Sequence, residues 1–400
     1  MKFTEFDFDP RLIEGIEASN YDEATPVQEQ VIPFILQGRD IIASAQTGTG
    51  KTAAFLLPLI NNILTRKSEG NGVISLIIVP TRELCIQIHN HLEGLSYFAS
   101  ISSIAVYGGN DGAAFLQEKR TLSHGVDVVI CTPGKMLYHI KTSQVKLDTL
   151  QYLILDEADR MLDMGFYDDI MSIIKLLPAK RQNLLFSATM PPKIRTMAKK
   201  ILSDPMEVSI AVNKPAEKII QQAYIVYEPQ KIPLVLHLLQ EKKSNMALIF
   251  CSSKISVKQL TSELKRKGIK AGEIHSDLEQ SERENIIMQY KSGKLPVLVA
   301  TDILSRGIDI DNIDLVINFD VPHDAEDYVH RIGRTARAAA SGGACTLVSL
   351  KEQGKFQTIE KFLGKEVEKI NVSAFIGEQP IYDPALNKAS HYKKGKSKRR

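Results

Sequence analysis

The residues best suited to chemistry stand in two short strings. The first is AQTGTGKT, Ala45–Thr52. It follows a short apolar run and opens an amphipathic stretch, the strand–loop–helix setting that a phosphate-binding loop needs. Gly48 and Gly50 let the backbone curl so that its N–H groups face an anion, and the helix start adds its positive dipole end. Ala45, Gln46, Thr47 and Thr49 complete the loop. Lys51 can reach the β- and γ-phosphates of a nucleotide, and Thr52 offers its hydroxyl to Mg²⁺. Ala45 stands where the usual pattern has its first glycine, a small change. The competing reading is a chance glycine-rich turn.

The second string is Asp156–Glu157–Ala158–Asp159, directly after the apolar run Tyr152–Leu155. A carboxylate at a strand end can hold Mg²⁺ through water, since this ion prefers oxygen ligands and keeps several waters. Asp156 suits that role. Glu157 is then placed to polarise an attacking water as general base. Asp159 reads as a link to other segments. Alone, the string could equally be a helix start, where acids suit the dipole. The phosphate loop upstream favours the catalytic reading.

These strings need strands and helices to hold them. Short apolar runs at Ile41–Ser44, Leu76–Val79, Val126–Cys131, Tyr152–Leu155 and Asn183–Ser187 alternate with amphipathic stretches such as 51–64. The pattern restarts with Ala247–Cys251, Val297–Thr301, Leu315–Phe319 and Ala344–Ser349. Strands buried on both faces and joined by helices form parallel sheets. The expectation is therefore an α/β chain of two tandem, doubly wound parallel-sheet domains: 1–209, a linker at 210–217, a second domain at 218–370, and a basic, largely disordered tail at 371–400. Ligands of such sheets sit beyond the carboxyl ends of strands, and polar motifs follow most of these runs.

Composition narrows the class. With 44% apolar and 24% charged residues the chain fits a globular protein. No run approaches the length that spans a bilayer, so no membrane association is expected. Cys85, Cys131, Cys251 and Cys345 are far apart and form no CxxC pair, which speaks against zinc or disulfides and suits a cytoplasmic setting. The net charge is +3, and residues 393–400 (KKGKSKRR) carry six positive charges. The remaining 392 residues therefore sum to 3 − 6 = −3, so nucleic-acid binding by the body needs a local site.

Six more strings appear in order: PTREL at 80–84, GG at 108–109, TPGK at 132–135, SAT at 187–189, ATDILSRGID at 300–309 and HRIGRTAR at 330–337. With the two above, the chain resembles the DEAD-box RNA helicases over essentially residues 1–370, and within them the bacterial RhlE-like subgroup. The resemblance implies RecA-like domains and an ATP-dependent RNA helicase using ATP and Mg²⁺. Thr25–Gln28 (TPVQ) matches the family's adenine reader, with Gln28 able to pair with both donor and acceptor on the adenine edge. An aromatic upstream of it stacks on the base in the family. That position falls on Phe3, with Phe6 and Phe8 as competitors. Asn20 and Ala24 replace the family's usual Gly and Pro.

By the same resemblance, Ser187, Thr189, His330 and Arg331 join Asp159 in coupling hydrolysis to domain closure. Arg334 and Arg337 act as arginine fingers on the γ-phosphate, and Asp309 contacts the ribose. Ala336 adds a methyl between the fingers, and Lys135 replaces an arginine. The RNA track comprises Pro80, Thr81, Arg82, Gly108, Gly109, Thr132, Pro133, Gly134, Ser252, Arg283 and Thr301. These small, hydroxylic and cationic residues suit phosphate and 2′-OH contacts without base reading. Single-stranded and duplex RNA are thus the expected partners, with ATP and RNA bound across the two domains. An RNA clamp without strand separation, and a DNA helicase or other phosphate-loop ATPase, stay open as rivals. Protein partners and the physiological RNA are not legible.

Overall fold

Apolar runs flanked by phosphate-loop and acidic residues must be stacked side by side to bring those residues together, and they are. A computed structural model describes residues 1–45, 49–65, 72–109, 112–143, 145–209, 219–242, 245–301, 313–335 and 342–385, the side chains of Gln280 and Glu326 apart. The chain divides into two units, Met1–Val212 and Asn213–Arg400.

In the first unit, β1 (Ile41–Ser44), β2 (Ser75–Ile78), β3 (Ser103–Val106), β4 (Val128–Cys131), β5 (Tyr152–Leu155), β6 (Gln182–Ser187) and β7 (Met206–Ser209) form one sheet in the order β3-β4-β2-β5-β6-β1-β7. Every pairing is parallel, with Ile78 opposite Leu155 and Ser44 opposite Ser187. Successive residues face opposite ways. Ile77, Ile154 and Phe186 therefore enter one core with Phe55 and Ile35, while Leu76, Leu153 and Leu155 enter another with Ile173 and Met197. A sheet covered on both faces reads as continuous apolar sequence.

The second unit repeats the plan. β8 (Ile219–Ile225), β9 (Ala247–Cys251), β10 (Ala271–Ile274), β11 (Val297–Thr301), β12 (Leu315–Asn318), β13 (Gly342–Val348) and β14 (Glu368–Lys369) lie in the order β10-β11-β9-β12-β13-β8-β14, again all parallel. Ile249, Val299 and Ile317 fill one face, and Leu248, Leu298 and Val316 the other.

Five strands exceed the sequence expectation: β3, β7, β8, β10 and β14. Four of them are the four sheet edges. An edge strand is covered less completely, so its sequence lacks a long apolar run. The fifth, β8, is interrupted by Gln221 and Gln222.

The C-terminal boundary also needs correction. A tail from 371 was expected, but residues 371–385 pack on the second unit. Gln230 Nε2 donates to the carbonyls of Ile376 and Glu378 at 3.0 and 2.8 Å, Gln379 Nε2 to Ile225 O at 3.0 Å, and Gln353 Nε2 to Ile381 O at 2.8 Å. Side-chain amides hold this segment, and they leave no periodic apolar signature. The expected linker and the KKGKSKRR string lie outside the described residues. Among the described residues, no helix is long and apolar enough to cross a membrane.

Candidate functional site

The order of strands in the first sheet sorts its motifs. Gly108–Gly109 follow β3, Thr132–Gly134 follow β4 and Pro80–Arg82 follow β2. Then come Asp156 after β5, Ser187 at the end of β6 and Ala45 after β1. Neighbouring strands lie ~4.8 Å apart. The acidic string therefore stands between the expected RNA loops and the expected nucleotide loop.

On the nucleotide side, Gly50 has φ +91°, a backbone that side-chain-bearing residues rarely adopt. A Cβ there would stand 2.6 Å from Gln28 Nε2 and 3.0 Å from Thr25 Oγ1. Gln28 is fully buried; its Oε1 accepts from Thr25 N at 2.8 Å and its Nε2 donates to Gly50 O at 3.1 Å. The adenine-reader segment and the phosphate loop are thus bonded directly. Lys51 opens the helix Lys51–Thr65, and its buried Nζ has no hydrogen-bond partner among the described residues. A buried ammonium left in that state fits an anionic ligand. Thr52 is partly exposed beside it. Thr49 is described, whereas Gln46, Thr47 and Gly48 lie outside the described residues.

Asp156 is 3% exposed, and its Oδ1 accepts from Glu157 N at 2.9 Å. Burial raises its carboxyl from 3.8 to about 6, with Lys51 opposing and Glu157 adding. A carboxylate made costly by burial fits a cation, and the oxygen donors of Asp156 and Thr52 suit Mg²⁺. The folded protein holds this proton more tightly than the unfolded chain, so the stabilisation is complete below about 3.8 and lost as pH rises to about 6. We expect the ligand-free protein to lose roughly 3 kcal/mol over that window, a loss absent from Asp156→Asn. Thermal unfolding at stepped pH checks this; parallel curves for both proteins would refute it.

Asp159 is bonded to the segment that follows β6. Its Oδ2 accepts from Thr189 N at 2.8 Å and Thr189 Oγ1 at 2.9 Å. Asp159 N donates to Ser187 Oγ at 3.2 Å, and Ser187 Oγ donates to Thr189 O at 2.7 Å. Ser187 O in turn accepts from Ala45 N at 3.1 Å. One chain of bonds runs from the acidic string through SAT to the phosphate loop.

Phe3 is a correction. Its ring is 3% exposed and packs against Phe6 and edge-on against Tyr21, while Phe6 stacks on Phe8. All three rings are core residues here, and none presents a free face for a base. Asn20 has φ +57°, which asparagine tolerates better than most residues.

On the RNA side, Thr81 caps the helix Arg82–Leu95 by accepting from Leu84 N. Pro80 and Pro133 are buried, while Thr132 and Gly134 are more open. Arg82 lies over the Tyr107 ring at 4.5 Å. Gly109 has φ +89°, and a Cβ on it would meet Arg82 Nη1 at 2.9 Å. Sequence reading missed a supporting cluster. Glu118 Oε2 accepts from Lys135 Nζ at 3.1 Å and meets His139 Nε2 at 2.7 Å, joining the helices Gly112–His124 and Pro133–Thr142. Nothing short of the fold places Glu118 beside that lysine.

In the second unit, Ser252 follows β9 and Thr301 ends β11, its neighbour. Arg283 stands on the helix Gln280–Lys291 and donates to Ser276 O. His330 and Arg331 end the helix Ala325–Ile332; Arg334 follows and is 8% exposed. Arg331 Nη1 donates to Asn318 Oδ1 at 3.1 Å and Asp320 O at 3.0 Å. Asp309, Ala336 and Arg337 lie outside the described residues.

Residues 25–197 match the family model for DEAD/DEAH box helicases, and residues 230–339 match that for the helicase conserved C-terminal domain. The chain is 41% identical over 393 residues to the ATP-dependent RNA helicase CshA of Listeria monocytogenes, covering 97% of this chain and 74% of the relative. It is 38% identical to CshA of Bacillus cereus, over 96% and 71%. Among solved structures it resembles S. cerevisiae Dbp5 bound to RNA and ADP BeF3, with TM-score 0.82, 29% identity and 92% and 95% coverage. A DEAD box protein from Methanococcus jannaschii gives TM-score 0.54 at 36% identity, over 93% and 99%. The chain belongs to the DEAD/DEAH box helicase family. Its two parallel sheets are the RecA-like domains of that family.

Proposed function

We propose that this protein is an ATP-dependent RNA helicase in which ATP binding and hydrolysis drive local, sequence-nonspecific opening or remodelling of RNA duplexes. The observation that carries this is the sorted sheet edge: the acidic string stands between the phosphate loop and the PTR, GG and TPG loops, tied by hydrogen bonds to SAT. Relatives named as RNA helicases, and a similar fold bound to RNA and ADP BeF3, support it.

Gln28, Gly50, Lys51 and Thr52 would hold ATP, and Thr52 with Asp156 would hold Mg²⁺, which neutralises phosphate charge when bound. Glu157 would take the proton of the attacking water. Asp159, Ser187 and Thr189 would pass the state of the phosphate site to the neighbouring loops, with His330 and Arg331 acting in the second domain. Arg334 and Arg337 would stabilise transition-state charge, and Asp309 would meet the ribose. The RNA backbone would lie on Pro80, Thr81, Arg82, Gly108, Gly109, Thr132, Pro133 and Gly134, and on Ser252, Arg283 and Thr301. The relatives reported above are CshA helicases and lend no support to an RhlE-like assignment. Four buried cysteines, with no disulfide among them, suit a cytoplasmic setting.

Steady-state ATP hydrolysis with single-stranded RNA and DNA of equal length tests the proposal. Strong stimulation by RNA and weak stimulation by DNA are expected, together with ATP-dependent displacement from a short RNA duplex. Hydrolysis indifferent to RNA would sink it.

A further inference from the structure

Asp320 belongs to none of the motif strings, yet three other segments of the second unit meet on it. It stands two residues beyond β12, directly after Phe319. Its Oδ2 accepts from both the backbone N and the Oγ of Ser252, each at 2.8 Å. Its Oδ1 accepts from Lys231 Nζ at 3.0 Å. Its carbonyl accepts from Arg331 Nη1 at 3.0 Å.

Both cations are unusually buried. Lys231 is 0% exposed and also reaches Glu352 Oε2 at 3.0 Å; Glu352 in turn accepts from Val321 N at 3.1 Å. Arg331 is 3% exposed and lies over the Phe250 ring at 5.1 Å. Ser252 itself is exposed. A buried charge network of this kind is rigid only when every member is satisfied. Asp320 is the member that reaches both the surface serine and Arg331 on the helix Ala325–Ile332.

We infer that Asp320 is a positioning residue which fixes Ser252 for RNA and, through its own carbonyl, seats Arg331 and with it the helix Ala325–Ile332. The inference rests on the RNA-helicase reading above. Asp320→Asn isolates it. An amide accepts at one oxygen only. Lys231, being buried and charged, keeps that oxygen, so the NH₂ group turns toward Ser252: the bond from Ser252 N is lost, and the Ser252 hydroxyl must turn from donor to acceptor.

The experiment is a double-mutant cycle with Ser252→Ala, read as the RNA concentration giving half-maximal ATPase stimulation and as the rate at saturating RNA. With Ser252 in place, Asp320→Asn should raise half-saturation about tenfold and lower the saturating rate severalfold. ATP-analogue affinity without RNA should stay unchanged, since the phosphate loop belongs to the other unit. Added to Ser252→Ala, the same change should shift half-saturation less than threefold, while the saturating rate still falls. A loss of merely structural origin would multiply in both backgrounds, and that outcome overturns the inference. An unchanged half-saturation with Ser252 in place overturns it too. If wild-type hydrolysis ignores RNA, the helicase reading itself falls, a result distinct from either. Thermal unfolding accompanies each variant. Should Asp320→Asn fail to fold, Asp320→Glu takes its place, keeping the charge opposite Lys231 while moving the oxygens by one methylene.

Discussion

Glu157→Gln should leave ATP binding nearly intact and lower the RNA-stimulated turnover rate by ~10²–10⁴-fold, the usual contribution of a general base. Glutamine keeps the shape of the side chain and loses only the basicity. The local backbone shows why this position is special. Glu157 has φ 51° and ψ 49°, a left-handed conformation rare outside glycine. Such strain persists where surrounding structure imposes it, commonly at functional sites. Here it lies between Asp156, whose backbone N donates to Ile78 O at 3.1 Å, and the helix Ala158–Asp163. The Glu157 side chain is 13% exposed, and its Oε2 accepts from Arg160 Nη1 at 2.9 Å. That contact aims the carboxylate. Steady-state kinetics with saturating RNA decide the matter. A loss under tenfold would assign the base elsewhere, whereas a raised ATP half-saturation at unchanged rate would make Glu157 a binding group.

Gly50→Ala is the second large effect expected. Its φ of +91° disfavours any side chain, and the new Cβ would meet Gln28 Nε2 at 2.6 Å and Thr25 Oγ1 at 3.0 Å. Gln28 has no room to retreat, being fully buried and bonded at both ends of its amide. The substitution should therefore separate the phosphate loop from the adenine-reader segment. ATP half-saturation should rise at least tenfold, about 1.4 kcal/mol of binding. Stability should fall by more than ~1 kcal/mol, because the native backbone is incompatible with the new residue. Gly94→Ala provides the control. It lies in the helix Arg82–Leu95, no atom stands within 4 Å of its added Cβ, and alanine suits a helix better. Its melting temperature should hold or rise. Calorimetric ATP-analogue binding and thermal unfolding on both variants test the contrast; unchanged affinity in Gly50→Ala would show that the loop does not need that glycine.

Much of this protein is written locally in its sequence. The central strands are legible because burial on both faces demands uninterrupted apolar runs, as in Tyr152–Leu155 and Ala247–Cys251. The phosphate loop and acidic string are legible because backbone curl, an ammonium and paired carboxylates require particular residue types at fixed spacing. The link from Asp159 to Ser187 and Thr189 could be anticipated from motif position, although its bonds could not.

Other features depend on neighbours distant in the chain, and only the tertiary structure decides them. The edge strands β3, β7, β10 and β14 owe their pairing to the sheet beside them. Phe3, Phe6 and Phe8 look alike along the sequence, and packing alone sends all three into the core. Gln28, on the helix Pro26–Leu36, meets Gly50 only because the fold brings the loop before the helix Lys51–Thr65 against it. Asp320 is an unremarkable acid after an apolar run until Lys231, Ser252 and Arg331 converge on it. Local spacing specifies which chemical groups are available. Long-range packing determines which of them are desolvated, paired and held in place, because burial and hydrogen bonding are properties of the assembled surroundings.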